Sequence, residues 1–329
     1  MFVDTRCRKI TPSSVPIHPL LAIGGPTGSG KSELALKLAA VFSGEIVNCD
    51  SLQIYRRFDI GTAKLSPEER QGIPHHLIDI LNPDEPFTAG EYSRCARPLF
   101  AEIAGRGKVP VIVGGTGFYL RALLEGLFTG PSRDDALRTQ LVRRNQRRPR
   151  FLHRLLRRLD PLAAARIHPN DTSKLVRAVE VCLLEGQPLS RLFAERKTEP
   201  LPGFATLKIA LAPERTALYE RLDRRCEAMF RAGLVEEIRQ ILAAGYSEDV
   251  KPFGSLGYAQ ALRVVRGEMT EGQAVKEAQQ ETRRYSKRQL TWLRRERDVH
   301  WLAGFGDTPA IQSEAIALVR RWLGGKYDD

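Results

Sequence analysis

The 329-residue sequence has no long apolar run and only five cysteines. No stretch approaches the ~18 consecutive apolar residues of a transmembrane helix, which excludes a membrane-spanning protein. The cysteines are scattered, odd in number and without a C-x-x-C pair, so neither a disulfide framework nor a zinc site is expected. This cysteine usage predicts a reducing, cytoplasmic environment. Internal repeats and low-complexity tracts are also absent from the sequence.

The strand and helix patterns divide the chain into three parts. Residues 1–19 contain three prolines and no apolar block of signal-peptide length, and we expect a loose lead-in there. Strand-like runs then alternate with helical patterns, which predicts a parallel α/β sheet. These runs are LLAIGG (20–25), EIVNCD (45–50), VPVIVGGTG (109–117) and TLKIALAP (206–213). The sequence therefore predicts an α/β core over 20–131 and 204–329 with a helical C-terminal region, and an all-helical insertion over 132–203.

The net charge of +12 is concentrated in two segments. Residues 133–158 carry a net charge of +8 and residues 283–297 carry +6, so the remaining residues sum to −2. Two basic patches on a near-neutral body suggest a polyanionic partner such as nucleic acid. The alternative is that both segments are solvated, arginine-rich helix faces.

A phosphate-binding loop follows the first predicted strand. The segment fits the nucleotide-binding pattern G-x-x-x-x-G-K-[ST] at every fixed position, and a helical pattern begins where it ends. Backbone N–H groups, the helix N-terminus and the Lys31 ammonium would together bind a phosphate, and Ser32 would hold Mg²⁺. The predicted diphosphate-binding residues are Gly25, Pro26, Thr27, Gly28, Ser29, Gly30, Lys31 and Ser32.

Asp50 is the carboxylate that follows a predicted strand. Enzymes that hydrolyse nucleotides carry an acid after a later strand, but VIV (111–113) and KIAL (208–211) run into glycine and alanine. The loop therefore suits a phosphate group that leaves rather than one that is transferred. Asp50 would act as a general base or an outer-sphere magnesium partner. The alternative is a helix N-cap.

A GGTG turn follows the strand at 109–113, and Thr116 within it offers a hydroxyl to a ligand. Together with the preceding motifs it resembles one family, the tRNA dimethylallyltransferases. The resemblance covers nearly the whole chain after the lead-in. It rests on GPTGSGKS (25–32), DSLQIY (50–55), DIGTAK (59–64), PHHLIDI (74–80), FTAGEY (87–92), VGGTGFYLRALLEG (113–126), ARIHPND (165–171), LGYAQAL (256–262) and KRQLTWLR (287–294).

This resemblance implies a fold and a reaction. The fold would be a P-loop NTPase-like core whose helical insertion grips the anticodon stem-loop of tRNA. The reaction would move a dimethylallyl group from dimethylallyl diphosphate to N6 of the adenine at position 37, next to the anticodon, and release pyrophosphate. Asp50 matches the family's base and Thr116 a residue near the amine, while Lys31 and Mg²⁺ would stabilise the leaving group. Arg221 and Arg225 are candidates for further diphosphate contact, and we favour Arg225.

The resemblance also implies a set of tRNA contacts, a monomeric enzyme and no membrane association. These contacts are Asp50, Ser51, Leu52, Gln53, Thr116, Arg138, Ser173, Lys174, Leu175, Val176, Arg177, Ser255, Leu256, Gly257, Tyr258, Lys287, Arg288, Gln289, Leu290, Thr291, Trp292, Leu293 and Arg294. The last block has physical support, because helical spacing places Arg284, Arg288 and Arg295 on one face and Tyr285, Gln289, Trp292 and Leu293 on another.

Two other enzyme classes remain open at this point. A prenyltransferase acting on free AMP, ADP or ATP would share the P-loop core but would not need the basic segments. An RNA-binding P-loop NTPase or small-molecule kinase would need the strand-end acid that the sequence lacks. After Trp301 the sequence carries no Cys or His pair, and we expect the bacterial type of the family.

Overall fold

The computed structural model describes residues 17–128, 130–196 and 198–324. Residues 1–16 of the predicted lead-in lie outside the described residues, and its last two residues belong to the first strand. By their contacts the described residues form two compact units. The core unit comprises residues up to 123 and from 201 onward, and the helical unit comprises residues 124–200.

One parallel sheet organises the core unit. Its strands are β1 (His18–Gly24), β2 (Gly44–Asn48), β3 (His75–His76), β4 (Val109–Val113), β5 (Phe204–Leu211) and β6 (Val299–Leu302). The described strands lie in the order β3-β2-β4-β1-β5-β6, and every neighbouring pair is parallel. Because parallel strands end at the same edge, the loops after β2, β4 and β1 lie next to one another.

The helices follow the chain between and after these strands. In order they are α1 (Lys31–Val41), α2 (Ala89–Gly105), α3 (Gly117–Leu124), α4 (Asp135–Arg147), α5 (Phe151–Leu159), α6 (Pro161–Arg166), α7 (Thr172–Glu185), α8 (Leu189–Glu195), α9 (Arg215–Arg231), α10 (Leu234–Ala243), α11 (Tyr258–Val265), α12 (Glu271–Leu293) and α13 (Pro309–Trp322). A short 3₁₀ helix spans Lys251–Gly254. None of the described helices has the length and apolar character to cross a membrane.

Apolar side chains of the central strands form the main core. Leu21 on β1 pairs with Val111 on one side and Leu207 on the other, and all three are buried. This explains the continuous apolar runs of the sequence, since a strand covered on both faces has no polar side. The buried face of α1, including Leu34 and Leu38, packs in the same cluster.

The helical unit has its own apolar core, made by α4 to α8. Leu152 and Leu156 from α5 pack there with Leu175 and Val179 from α7. Asp side chains begin three of its helices, for example Asp160, whose Oδ1 accepts the Ala163 N–H at 2.9 Å. No strand is found among the described residues of this unit.

The predicted fold class, a parallel P-loop-type α/β core with inserted and C-terminal helices, is confirmed. Three details differ from the sequence reading. Strands β3 and β6 were not predicted, because two and four residues are too short to show a pattern. The helical pattern after residue 215 is broken into α9 and α10 at Gly233, whose φ of 99° is left-handed.

Candidate active site

The predicted site residues follow three neighbouring strands and therefore lie at one edge of the sheet. The phosphate-binding loop follows β1, Asp50 lies two residues after β2, and Thr116 lies three residues after β4. Strand β4 pairs with both β1 and β2, so the loops that follow these strands are neighbours. The residues that the sequence marks at separate positions therefore share one end of the sheet.

The loop between β1 and α1, which we call the donor loop, has the backbone shape of a phosphate cradle. Gly28 and Gly30 adopt left-handed φ angles of 74° and 82°, and Gly30 is the N-cap residue of α1. A methyl group on Gly30 would lie 2.8 Å from the Asp307 carboxylate, so this glycine also permits a close approach. The Gly306 N–H donates to the Ser29 carbonyl at 2.9 Å, so the loop after β6 supports the donor loop.

Lys31 is held over the donor loop, where its Nζ donates to the Pro26 carbonyl at 2.7 Å. Burial and, to a smaller extent, the charge of Arg225 lower the pKa of Lys31 from 10.5 to about 8, against the opposing charges of Asp50 and Glu33. The ammonium is thus poorly solvated and near another cation. Such a site gains strongly from a bound anion.

Arg221 and Arg225, one turn apart on α9, have different partners. Arg225 is partly buried, and its Nη1 donates to Thr27 Oγ1 of the donor loop at 3.3 Å. Arg221 instead bonds both oxygens of Asp307 at 2.9 and 3.0 Å and lies over the Phe305 ring. This arrangement supports the preference for Arg225 as the diphosphate ligand.

Asp50 is oriented by backbone and amide contacts. Its Oδ1 accepts the Leu52 N–H at 2.9 Å, and its own N–H donates to Asn48 Oδ1 at 3.1 Å. Asn48 is fixed in turn, because its Nδ2 donates to the Leu77 carbonyl at 2.9 Å. No described helix begins at Asp50, so the alternative reading as a helix N-cap is wrong. Burial, and next the Asp50 charge, raise the pKa of Tyr285 to about 12, which places the carboxylate near that phenol.

Thr116 contacts the chain on either side of Asp50. The Ser51 N–H donates to Thr116 Oγ1 at 3.1 Å, and the Thr116 N–H donates to the Cys49 carbonyl at 3.3 Å. Gly114 permits this approach, since a methyl group there would overlap the Cys49 carbonyl. Burial raises the pKa of the buried Cys49 thiol to about 12, which disfavours the thiolate that a nucleophilic cysteine requires.

Helix α12 closes the site and joins its two loops. The Thr27 N–H donates to Gln289 Oε1 at 2.8 Å across 262 residues of sequence, and Gln289 Nε2 donates to the Gly115 carbonyl at 3.2 Å. A methyl group on Gly115 would overlap the Gln289 amide, and one on Gly117 would overlap the Trp292 ring. The glycines of the GGTG turn are therefore required for helix packing.

A cavity of about 330 Å³ lies between the donor loop, the GGTG turn and α12. Its lining residues are Gly24, Gly25, Gly114, Gly115, Thr116, Gly117, Leu120, Tyr285, Arg288, Gln289, Trp292 and Leu293. The walls are mainly glycine backbone and apolar side-chain surface, with polar groups from Thr116, Tyr285, Arg288 and Gln289. One space thus extends from the start of the donor loop to the threonine beside Asp50.

Five of the predicted tRNA contacts have buried side chains in this structure. These are Leu175, Val176, Tyr258, Gln289 and Leu293. They fill cores or bridge internal groups, so their side chains are not offered to RNA in this structure. Of the other predicted contacts, the exposed ones are Ser173, Lys174, Lys287, Arg288, Thr291 and Arg294.

Tyr258 has an internal role that its motif did not reveal. Its hydroxyl donates to the Glu237 carboxylate at 2.5 Å and accepts the Gly61 N–H at 3.1 Å. The second Glu237 oxygen accepts the N–H of Ile60 at 2.8 Å. The pair therefore fixes the segment that follows Asp50 and Gln53 in sequence.

Arg138 and Arg177 of the helical unit converge on one buried carboxylate. Arg138 bonds both Glu180 oxygens at 2.7 and 2.8 Å, and Arg177 bonds one of them at 2.6 Å. Burial alone would raise the pKa of Glu180, but these hydrogen bonds lower it to about 2. Both guanidinium groups are held by this carboxylate, so any contact with tRNA would be made by their remaining N–H groups.

The two basic segments differ in how much of their charge is paired. In the first, eight arginines are exposed, and within the described part of the chain no ion pair involves them: Arg143, Arg144, Arg147, Arg148, Arg150, Arg154, Arg157 and Arg158. In the second, Arg283 pairs with Asp223 and Arg284 with Glu281. Helix α12 ends at Leu293, so Arg295 does not share a helix face with Arg284 and Arg288 as predicted.

Several site residues had no clear sequence signal. Asn48 orients Asp50, Gln289 joins the two loops, and Asp307 bonds Arg221 behind the donor loop. Asn48 lies in a predicted strand and Gln289 within a family motif, but only the fold shows that they contact protein groups. Asp307 lies in a turn after an unpredicted strand, and no residue near it suggested a contact 277 positions away in sequence with Gly30.

The fold and these groups define a P-loop protein of the group-transfer type, in which the start of the P-loop and the threonine next to a carboxylate-bearing turn border one cavity. The family model described as IPP transferase matches residues 53–296. The chain belongs to this family, which confirms the resemblance to tRNA dimethylallyltransferases.

Individual relatives agree with this assignment over almost the whole chain. The tRNA dimethylallyltransferase of Solibacter usitatus is 58% identical over 306 residues, covering 93% of this chain and 99% of the relative. The solved full-length tRNA isopentenylpyrophosphate transferase of Bacillus halodurans has a TM-score of 0.68 at 35% identity, covering 94% of this chain and 97% of the other. A eukaryotic dimethylallyltransferase acting on tRNA has a TM-score of 0.77 at 27% identity, covering 93% and 80%.

Proposed function

We propose that this protein transfers a dimethylallyl group from dimethylallyl diphosphate to N6 of the adenine at position 37 of tRNA, next to the anticodon, and releases pyrophosphate. The observation that carries the proposal is the single cavity that begins at Gly25 of the donor loop and reaches Thr116 beside Asp50. A donor whose diphosphate lay on the donor loop would extend its apolar group into this space, toward the GGTG turn.

The donor loop would hold the diphosphate through its N–H groups and through the cations Lys31 and Arg225. Breaking the bond between C1 of the donor and the diphosphate oxygen leaves the electron pair on pyrophosphate. The cations stabilise this growing charge, and they do so effectively because they are already desolvated and in place. This is why a P-loop suits a reaction without ATP.

Asp50 would take the proton that N6 loses as the new bond forms. The adenine amine is a weak nucleophile, since its lone pair is delocalised into the ring, and it gains strength when a carboxylate accepts a proton in the transition state. The balance is complete: C1 bonds to N6, pyrophosphate leaves with the C–O electron pair, and the N6 proton goes to Asp50. Thr116, which accepts the Ser51 N–H, would orient the amine.

Ser32 would hold Mg²⁺ at the first turn of α1. It borders a small second pocket of about 20 Å³, enough for about one water, with polar lining from Asn48, Gln53 and His75 and apolar lining from Ile46, Leu65, Ile78 and Val113. Within the described residues no group of three or more His, Cys, Asp or Glu could hold a metal, but Mg²⁺ keeps several waters and binds substrate phosphates. The residues therefore fit a magnesium ion that supplies charge neutralisation to the diphosphate.

The tRNA would present its base from a loop, where it can be flipped out without disrupting a duplex. The eight exposed arginines of the helical unit and the exposed cations after Arg284 supply surfaces for phosphates. A prenyltransferase that acts on free AMP would not require these surfaces. Their number supports tRNA over AMP as the acceptor, and we further propose that the enzyme acts as a cytoplasmic monomer.

The test is a transfer assay with purified protein, Mg²⁺, dimethylallyl diphosphate and unmodified tRNA. We expect pyrophosphate release and a tRNA nucleoside whose mass has increased by one dimethylallyl group in place of hydrogen. The same tRNA with guanine at position 37 is the matched control and should gain nothing. Modification of AMP with no modification of tRNA would overturn the proposal in favour of the adenylate enzyme.

A further inference from the structure

A buried carboxylate of the helical unit holds two arginines that come from different helices. The Glu180 side chain on α7 is fully buried, whereas the side chains of Arg138 on α4 and Arg177 on α7 are 24% and 36% exposed. Arg138 bonds Glu180 through Nε and Nη2, and Arg177 bonds it through Nη1. The Arg177 Nη2 also donates to the Pro131 carbonyl at 3.1 Å. Each guanidinium is therefore fixed on its protein side and partly open to solvent.

The remaining N–H groups of both arginines have no acceptor among the residues that the structure describes. Glu180 and Pro131 together use two of the five N–H donors of each guanidinium. Arg138 Nη2 and Arg177 Nη1 bond the same Glu180 oxygen at 2.8 and 2.6 Å, so they lie no more than about 5.4 Å apart. Since two charge-assisted bonds of about 2.7–2.9 Å span that distance, one anionic oxygen can accept an N–H from each arginine.

The charge of this cluster favours an anion. Two guanidinium cations share one carboxylate, which stays ionised at neutral pH because the hydrogen bonds lower the pKa of Glu180 to about 2. The same unit carries the eight exposed arginines described above. A small anion would not require so extended a basic surface, whereas the backbone of a polyanion would contact it at many points. The ligand that these observations favour is a phosphodiester group of RNA.

We infer that Arg138 and Arg177 bind one backbone phosphate of the tRNA and that Glu180 is a positioning residue for this contact. The inference rests on the proposed function and gives a part in binding the acceptor to a buried residue that the sequence did not mark. The carboxylate holds both guanidinium groups in place before the tRNA arrives. Less side-chain freedom is then lost when the phosphate binds.

Replacing Glu180 tests this inference because position and charge act in opposite directions. Glu180→Gln removes a negative charge, and charge alone would strengthen the binding of a polyanion. A glutamine amide has a single acceptor oxygen and an NH₂ group, so it cannot hold both guanidinium groups as the carboxylate does. We expect the Kd for tRNA to rise about tenfold, as for the loss of one hydrogen bond between charged groups. The transfer rate at saturating tRNA should stay within about twofold of wild type.

Asp160→Asn is the matched control. Asp160 is the other buried carboxylate among the described residues of the helical unit, at 1% exposure, and its hydrogen bonds go to backbone N–H groups and a serine hydroxyl rather than to an arginine. The variant removes the same charge from the same unit. Its Kd for tRNA should stay within about twofold of wild type.

A double-mutant cycle shows whether Glu180 acts through the two arginines. The variant Arg138→Gln/Arg177→Gln should weaken tRNA binding and reduce the slope of log K against log salt concentration by about one, the value for one phosphate contact. In that background Glu180→Gln should cause no further rise in Kd, because the groups that it positions are already gone.

Tighter or unchanged tRNA binding by Glu180→Gln would overturn the inference, as would a matching rise in Kd in Asp160→Asn. An equal loss in the background that lacks both arginines would also overturn it, since Glu180 would then act only through the fold.

Lysine variants keep the test decisive if Glu180→Gln does not fold. Arg138→Lys and Arg177→Lys keep the positive charge, but an ammonium lacks the planar fork that bonds a carboxylate and a phosphate at once, so each should raise the Kd for tRNA. An unchanged Kd in both refutes the inference. A protein that shows all the expected binding effects yet transfers no dimethylallyl group would instead overturn the proposed function and leave this inference standing.

Discussion

Lys31→Met should make the free protein more stable while removing its ability to bind the donor. The Lys31 ammonium is partly buried over the donor loop, near the charge of Arg225, and donates to the Pro26 carbonyl. Methionine has a similar length and no charge, so it fills the space without the desolvated cation. The substitution therefore separates the requirements of folding from those of phosphate binding.

The size of the effect follows from the pKa of Lys31. A fall from 10.5 to about 8 corresponds, at about 1.4 kcal/mol per pKa unit, to about 3 kcal/mol of destabilisation when the lysine is charged in both states. Methionine loses the hydrogen bond to Pro26, worth about 1 kcal/mol. The variant should thus be more stable by about 2 kcal/mol at pH 7.

The pH dependence has a definite sign. Between pH 8 and 10.5 the unfolded chain keeps the Lys31 proton that the folded protein has lost, so the stability of the wild type rises with pH in this window. The destabilisation is fully present below about pH 8 and falls below about 1 kcal/mol by pH 10. The advantage of Lys31→Met should therefore nearly disappear at pH 10.

Urea unfolding followed by tryptophan fluorescence measures this difference. All three tryptophans, Trp292, Trp301 and Trp322, belong to the core unit, so the signal reports the unit that contains Lys31. Pyrophosphate with Mg²⁺ should raise the stability of the wild type and leave the variant unchanged. The reasoning would be refuted if Lys31→Met were less stable than wild type at pH 7, or if its gain in unfolding free energy over wild type were the same at pH 7 and pH 10.

Three further predictions concern the remaining parts of the site. Asp50→Asn should lower the transfer rate by about 10²- to 10⁴-fold in single-turnover assays, because the base is lost. Its affinity for tRNA, measured by filter binding, should stay within about twofold of the wild-type affinity. A normal transfer rate would show that Asp50 is not the base. Arg225→Ala should lower kcat/KM for the donor by about 10²-fold, whereas Arg221→Ala should change it by less than about tenfold; the reverse order in steady-state kinetics would contradict the assignment. Gly117→Ala should lower the free energy of unfolding of the core unit by about 1–3 kcal/mol in urea, because the added methyl group would overlap the Trp292 ring. Gly272→Ala, in the first turn of α12 where the added methyl group meets no neighbour, should leave this free energy unchanged or raise it by about 0.5–1 kcal/mol. Equal effects of the two substitutions would show that α12 can move away from Gly117 without a loss of stability.

The sequence predicted those parts of the site whose position is determined by the strand that directly precedes them. The donor loop and Asp50 each follow a buried strand, and neighbouring strand ends in a parallel sheet must lie together. This local rule requires no knowledge of distant contacts. The preference for Arg225 over Arg221 rested on family resemblance, and only the fold shows that Asp307 occupies Arg221.

The parts that could not be predicted depend on partners distant in sequence. Tyr258 and Gln289 lie in segments that suggest RNA contact, yet both face inward, since Glu237 and Thr27 are there to bind them. A motif identifies a residue as important but does not distinguish a ligand contact from an internal bond. Exposure, which depends on the whole fold, makes that distinction.

Helix α12 lies near the C-terminal end of the sequence, so its part of the site is synthesised last. Lys31, Asp50 and Thr116 all lie within the first 117 residues, but Gln289 and Trp292, which join the two loops and wall the cavity, come from 271–293. During synthesis the loop, Asp50 and Thr116 therefore exist before the helix that joins the two loops. A chain that stopped short of α12 would retain the P-loop and Asp50 but would lack the Gln289 bridge and one wall of the cavity, so the site is assembled only when the end of the chain has folded.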